Sequence, residues 1–209
     1  MTLLTNEENT LNFSPSCERN KDAILARLLP ILSSKNSVLE IGSYSGQHAL
    51  HICRLLPRLT WQPSDQLSLI NDLNENLQHH NVNNIKPAIN LDVSNATQWP
   101  AEKYDVIFSA NTLHIMSWQH VVAMFKHLPQ CLNNNSYLCI YGPFKYNGKY
   151  TSVSNENFQQ WLQNRDPVSG IRDFEKTNEL ATNVGLKLIH DIAMPANNQL
   201  LIWTNKNVC

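Results

Sequence analysis

The sequence predicts an α/β protein: a doubly wound, mostly parallel sheet closed by an antiparallel C-terminal hairpin. Two observations predict it. Short apolar runs alternate with longer segments of helical period from residue 38 to residue 142, the pattern of β-α units that cover a parallel sheet with helices. The last two apolar runs, LKLIHDIAM (186–194) and QLLIWT (199–204), are joined by the turn-rich PANN, a linker too short for a crossover helix.

Each element follows in order. VLEI (38–41) is a continuous aliphatic run, as a strand buried on both faces reads. Ala49, Leu50, Ile52, Cys53 and Leu56 form a helical stripe that stops at Pro57. LTWQPSD (59–65) is the next strand, expected to end at Pro63. Leu69, Ile70, Leu73 and Leu77 repeat at helical spacing, and PAINLDV (87–93) is a third strand. YDVIFSA (104–110) is a fourth. Ser117 is placed to cap a helix carrying Val121, Val122, Phe125 and Leu128. YLCIYG (137–142) is the fifth strand, and Asp173 opens a helix through Leu180 and Ala181 that Gly185 stops. Residues 142–172 are long for a β-α connection, which marks them as functional, with a short helix around Phe158, Trp161 and Leu162.

Composition narrows the function classes. The 209 residues suit one domain, and 42% hydrophobic residues supply one substantial core. A net charge of −1 carries no electrostatic footprint for nucleic acid, and no basic run suggests a membrane surface. The opening MTLLTNEENTLNF has acids and no long apolar block, unlike a secretory signal, and no stretch is apolar enough to span a membrane. Five cysteines without a CxxC pair read as reduced thiols. A cytoplasmic protein is expected. His48 and His51 share a helix face without a third ligand, so no metal is expected.

The chemistry is concentrated in Gly42-Ser43-Tyr44-Ser45-Gly46, directly after the first strand. In doubly wound sheets ligands bind outside the carboxyl ends of the strands. Glycines there let the backbone approach a ligand and supply positive φ. The spacing is GxxxG, so the GxGxxG cradle for a dinucleotide pyrophosphate is absent. Glu40, at the end of the first strand, repels a pyrophosphate and attracts an amino or sulfonium cation. Asp65, at the end of the second, can accept from ribose hydroxyls, and Asp92, after the third, from an adenine amine. Three acids at three successive strand ends suit a cationic nucleoside, S-adenosylmethionine, better than a phosphate; an acid at such a position also commonly caps a turn.

The order VLEIGSYSG, TWQPSD, LDVS, YDVIFSANTLHIMSWQ and YGPFKYNG resembles the class I S-adenosylmethionine-dependent methyltransferases, and more narrowly the family known as domain of unknown function 938. The resemblance runs from SPSCERNKDAIL (14–25) through MPANNQLLIW (194–203). It implies a seven-stranded, Rossmann-like sheet and one methyltransferase-like domain over 1–209, with an N-terminal cap (1–36) and a lid-like insertion (142–172). It implies that the cap folds over the cofactor, with Glu18, Arg19 and Asn20 as polar contacts, and that Gly42, Ser43, Gly46, Asp92, Val93 and Asn111 line the cofactor site. It lends a cofactor, not an acceptor.

Tyr44 departs from the superfamily, where a small residue usually stands; its ring either projects outward or covers the site. Methyl transfer needs an acceptor held in line and, where that acceptor carries a proton, a base. His114 is the candidate base, and Tyr146 a second catalytic candidate among the lid aromatics Tyr141, Phe144 and Tyr150. Arg165, Asp166, Arg172 and Asp173 bind substrate or pair with one another. The aromatic residues and Lys145 suit a small-molecule acceptor with a planar or acidic group. The competing expectation is a non-catalytic binding or interaction module on the same fold; a nicotinamide-dependent oxidoreductase is disfavoured by the missing third glycine and by Glu40.

Overall fold

A computed structural model of the chain describes residues 11–206. The first ten residues of the expected cap, and Cys209, lie outside them. In chain order the elements are α1 (Pro15–Leu32), β1 (Ser37–Ile41), α2 (Gln47–Leu55), β2 (Thr60–Asp65), α3 (Leu67–His80), β3 (Ile89–Asn90), β4 (Tyr104–Ala110), α4 (Trp118–His127), β5 (Leu132–Gly142), β6 (Phe144–Tyr146), β7 (Lys149–Tyr150), α5 (Val153–Arg165), β8 (Arg172–Asp173), α6 (Phe174–Asn183), β9 (Lys187–Met194) and β10 (Asn198–Thr204). The main sheet has seven strands in the order β3-β2-β1-β4-β5-β10-β9. It is mostly parallel, and β10 runs antiparallel to both β5 and β9, as the PANN linker requires. By its internal contacts the chain divides into two compact units, at Leu91 and Asp92.

In the first unit β1 and β2 pair in parallel, Val38 with Trp61 and Glu40 with Pro63. The second strand runs two residues beyond the expected stop at Pro63. Trp61 and Asp65 make ladder bonds toward residues 84–91, so by alternation Pro63 faces the same flank without an N–H to give. The Gln62 amide fills this gap, donating to the carbonyls of Pro63 and Pro87 at 3.0 and 2.8 Å. Ser14 caps α1, accepting from the Cys17 N–H at 3.3 Å, with Pro15 in the first turn. Leu50, Leu73, Leu77 and Ala88 form the core under α2 and α3, with Ile70, Val82 and Ile85 packed against it.

In the second unit β4 and β5 pair in parallel, and Val106, Ile107 and Phe108 are fully buried. Ser117 caps α4, accepting from the His120 N–H, and Gly185 ends α6 at φ 81°. The 142–172 stretch holds order that residue periodicity does not reveal. A small sheet, β7-β6-β8, forms around a tight hairpin at Asn147 and Gly148, whose φ values are 50° and 71°. Helix α5 follows it and contains Phe158, Trp161 and Leu162, where a short helix is expected from the sequence. Cys17, Cys53, Cys131 and Cys139 are buried free thiols. Among the described residues no helix is long and apolar enough to cross a membrane, and no cluster of His, Cys, Asp and Glu could hold a metal ion.

Candidate functional site

The turn after β1 is built by three residues of positive φ, Gly42 (79°), Tyr44 (51°) and Gly46 (79°). Two of them are glycines, which take this region without steric cost. The N–H groups of Gly42 and Ser43 both donate to the Ser64 carbonyl at 3.0 Å. Gly46 has a second reason to lack a side chain: a Cβ there would lie 3.0 Å from Leu73 Cδ1 and Leu77 Cδ2. The turn therefore sits on α3 as closely as backbone allows.

Glu40 is 1% exposed beneath this turn. Its Oε2 accepts from the Ser43 hydroxyl and the Trp61 indole, both at 2.9 Å, and its Oε1 lies 3.7 Å from His48 Nδ1. The carboxylate thus ties Ser43 and Trp61 together beneath the turn. Asp65 closes β2 with each oxygen on a backbone donor: Oδ2 accepts from the Tyr44 N–H at 2.7 Å and Oδ1 from the Gln66 N–H at 2.8 Å. Burial raises its pKa, the two N–H bonds oppose that rise, and Glu40 adds to it. Each oxygen retains a further lone pair. The Tyr44 ring is 40% exposed on the turn that Asp65 pins.

Helix α1 joins this turn through α2. Asn20, 8% exposed, has its Oδ1 2.8 Å from His48 Nε2, while Glu18 accepts from the Gln47 amide at 3.2 Å. Arg19 points to solvent. So the unit brings together Asn20, Glu40, Gly42, Ser43, Gly46 and Asp65, and leaves Arg19 outside that network.

In the second unit, Asp92 folds into its own turn. Its Oδ1 accepts from the N–H and hydroxyl of Ser94 at 2.9 and 2.7 Å, which lowers its pKa. Val93 is buried, and its carbonyl accepts from the Trp99 indole at 3.1 Å. Asn111 follows β4 at φ 56°, its N–H donating to the Tyr141 carbonyl at 2.9 Å. Its side-chain Nδ2 is buried and, among the described residues, has no hydrogen-bond partner. A buried donor in that state calls for a ligand atom or a water.

His114, three residues on, is 6% exposed, with Phe158 edge-on at 5.3 Å. Burial, with Arg172 as a smaller cause, brings its pKa down to about 4. Arg172 pairs with backbone rather than with an acid: its guanidinium donates to the carbonyls of Leu113 (2.9 Å), Val168 (3.2 Å) and Met116. Arg165 lies over the Trp161 ring at 5.7 Å, and Asp166 accepts from the Val168 N–H. Asp173 accepts from the Gly148 N–H at 3.2 Å. Tyr146 is engaged elsewhere. Its hydroxyl donates to both oxygens of Asp191 at 3.0 and 2.8 Å, its ring stacks on Phe174, and burial with the Asp191 bond drives its pKa well above the ordinary phenol range. The hydroxyl of Tyr146 thus ties β6 to β9 through Asp191.

A family model described as "Protein of unknown function (DUF938)" matches residues 11–205. Among solved structures, an O-methyltransferase family protein from Burkholderia thailandensis is similar at 14% identity and TM-score 0.75, over 90% of this chain and 59% of that one. The S-adenosylmethionine-dependent methyltransferase SibL, in its apo form, is similar at 13% identity and TM-score 0.76, over 92% and 56%. Human N-acetylserotonin methyltransferase, in complex with S-adenosylmethionine, is similar at 13% identity and TM-score 0.75, over 92% and 53%. The chain thus spans less than two thirds of the length of these proteins, and at such identity the likeness is one of fold.

Proposed function

The chain belongs to the family described as "Protein of unknown function (DUF938)", and from that premise we propose that it is an S-adenosylmethionine-dependent methyltransferase, one domain acting on a small-molecule acceptor. The observation that carries the proposal is the left-handed turn Gly42–Gly46, whose Tyr44 N–H is held by Asp65 at the end of β2. A carboxylate with lone pairs to spare beside a tight, glycine-flanked backbone suits a ribose diol. In this reading Asp65 accepts from the ribose hydroxyls, Gly42, Ser43 and Gly46 form the floor, and Glu40 supplies charge from beneath. Asn20 acts through His48, and Arg19 is an outer, exposed contact.

For the second unit, Asp92 offers its remaining oxygen to the adenine amine, next to Val93. The unpartnered Asn111 amide donates to an oxygen of the cofactor or the acceptor. When bound, S-adenosylmethionine supplies the electrophilic methyl group. His114 is neutral above about pH 4, so it can receive an acceptor proton, weakly. That weak basicity is also the one observation favouring the alternative, a non-catalytic binding module. Formation of S-adenosylhomocysteine with any acceptor would exclude it.

The test is calorimetric titration with S-adenosylmethionine, S-adenosylhomocysteine and NAD. Micromolar binding of the first two without the third is expected; binding of none would overturn the proposal. Asp65→Ala should weaken nucleoside binding by about 1–3 kcal/mol, since a charged hydrogen-bond partner is lost. Unchanged affinity would remove Asp65 from the site.

A further inference from the structure

Resting on the cofactor reading above for its ligand, we infer that Gln47 and Asn76 are positioning residues that couple the segment 11–18 to the turn at Ser45, so that this segment is a strap which closes as the turn orders around its ligand. Ser45 is fully buried. Its hydroxyl and its carbonyl each end on a side-chain amide, and each of those amides also holds the strap. The Ser45 hydroxyl donates to Gln47 Oε1 at 2.8 Å, and the same oxygen accepts from the Ser14 N–H at 2.7 Å. The Ser45 carbonyl accepts from Asn76 Nδ2 at 3.1 Å, and the same nitrogen donates to the Leu11 carbonyl at 2.8 Å. Asn76 Oδ1 then takes the Leu11 N–H at 2.8 Å.

The two hubs are 8% and 3% exposed. Asn76 has used both N–H donors, and Gln47 Nε2 continues to Glu18 at 3.2 Å. One helical turn before Asn76, Asp72 accepts from the Asn12 amide at 2.8 Å, a further stitch in the same seam. Lifting residues 11–18 would strip buried amides of partners, and shifting Ser45 would do the same from the other side. Neither half can move alone without leaving buried polar groups unpaired. Ser45 is the residue after Tyr44, whose N–H Asp65 holds. The strap thus reads the same turn that the proposed ribose contact reads.

The experiment is a donor–acceptor swap followed by hydrogen exchange. Gln47→Glu keeps the acceptor for Ser14 and Ser45 but sets a carboxylate against Glu18. Pairing it with Glu18→Gln restores a donor and an acceptor at that contact. Without ligand, Gln47→Glu should speed exchange about tenfold both at residues 11–18 and at the amides of 43–46, and the double variant should return both to wild type. Asn76→Asp, which removes both donors, should act like Gln47→Glu. Faster exchange at 11–18 with the turn unchanged, or no rescue in the double variant, overturns the coupling. With S-adenosylhomocysteine, Gln47→Glu should bind about tenfold more weakly, equivalent to 1.4 kcal/mol, and the double variant should recover. Unchanged affinity also overturns it. If the wild type binds no nucleoside, the cofactor reading fails by itself, and the exchange result alone then upholds or overturns the strap–turn coupling.

Discussion

At the scale of single residues, two positions make quantitative claims. Gly46 combines φ 79° with two leucine methyls 3.0 Å from where a Cβ would be. Gly46→Ala adds a left-handed L-residue, about 1–2 kcal/mol, to overpacking of about 1–3 kcal/mol. A loss of about 2–5 kcal/mol in urea unfolding is expected, and a neutral result would mean that α3 yields to the turn. His114 makes a claim about pH. Its pKa falls from 6.5 to about 4 in the folded state. Above 6.5 the group is neutral folded and unfolded and contributes nothing. As pH falls below 6.5 the unfolded chain takes up the proton first, so stability declines until about pH 4, by about 3 kcal/mol in all. His114→Gln should flatten that limb of the stability–pH curve; an unaltered slope would show the ring to be solvated. The pattern of Glu40, the glycines and Asp65 was legible because strand-end position and residue type speak locally. The duties of Trp61, Gln47 and Asn76 were not. A tryptophan in a strand reads as core, a helical Gln or Asn reads as surface, and the contacts that give Asn76 its role reach 31 and 65 residues along the chain.

At the scale of elements, the continuous aliphatic runs located β1, β4 and the end of β5, because burial on both faces leaves no alternative for short aliphatic segments. The terminal hairpin was legible from linker length alone. Pro63 misled the reading of β2, since a proline ordinarily interrupts a ladder and the repair by the Gln62 amide involves Pro87, 25 residues away. The β7-β6-β8 sheet was invisible because its strands are two or three residues long, below any period. What fastens this region is Arg172, reading as a charge in sequence and acting as a staple for carbonyl groups. Arg172→Leu should cost about 3 kcal/mol, since it strands several partly buried acceptors. It should also speed hydrogen exchange across 113–117 and 168–172. Arg172→Lys should recover only part, because an ammonium cannot fork to separated carbonyls. Full recovery with lysine would reduce Arg172 to a charge.

At the scale of the whole molecule, a ligand that binds only the folded chain must stabilise it by mass action, whatever its contacts. At a hundredfold excess over Kd the gain is about 2.7 kcal/mol. For a chain of this size each kcal/mol moves Tm by about 2–4 °C. Saturating S-adenosylhomocysteine should therefore raise Tm by about 5–10 °C, and NAD by none. The net charge of −1, with 16 basic and 17 acidic residues, constrains the same experiment. Polyanion binding depends on many basic contacts releasing counterions, and a chain so balanced has no excess to offer. DNA and RNA oligonucleotides should accordingly leave Tm unmoved at low salt, where any such attraction is strongest. A shift with S-adenosylhomocysteine alone would support a small-molecule acceptor. A shift with oligonucleotide that vanished on adding salt would instead point to a nucleic-acid substrate held by a local basic face, and would overturn the acceptor class proposed here.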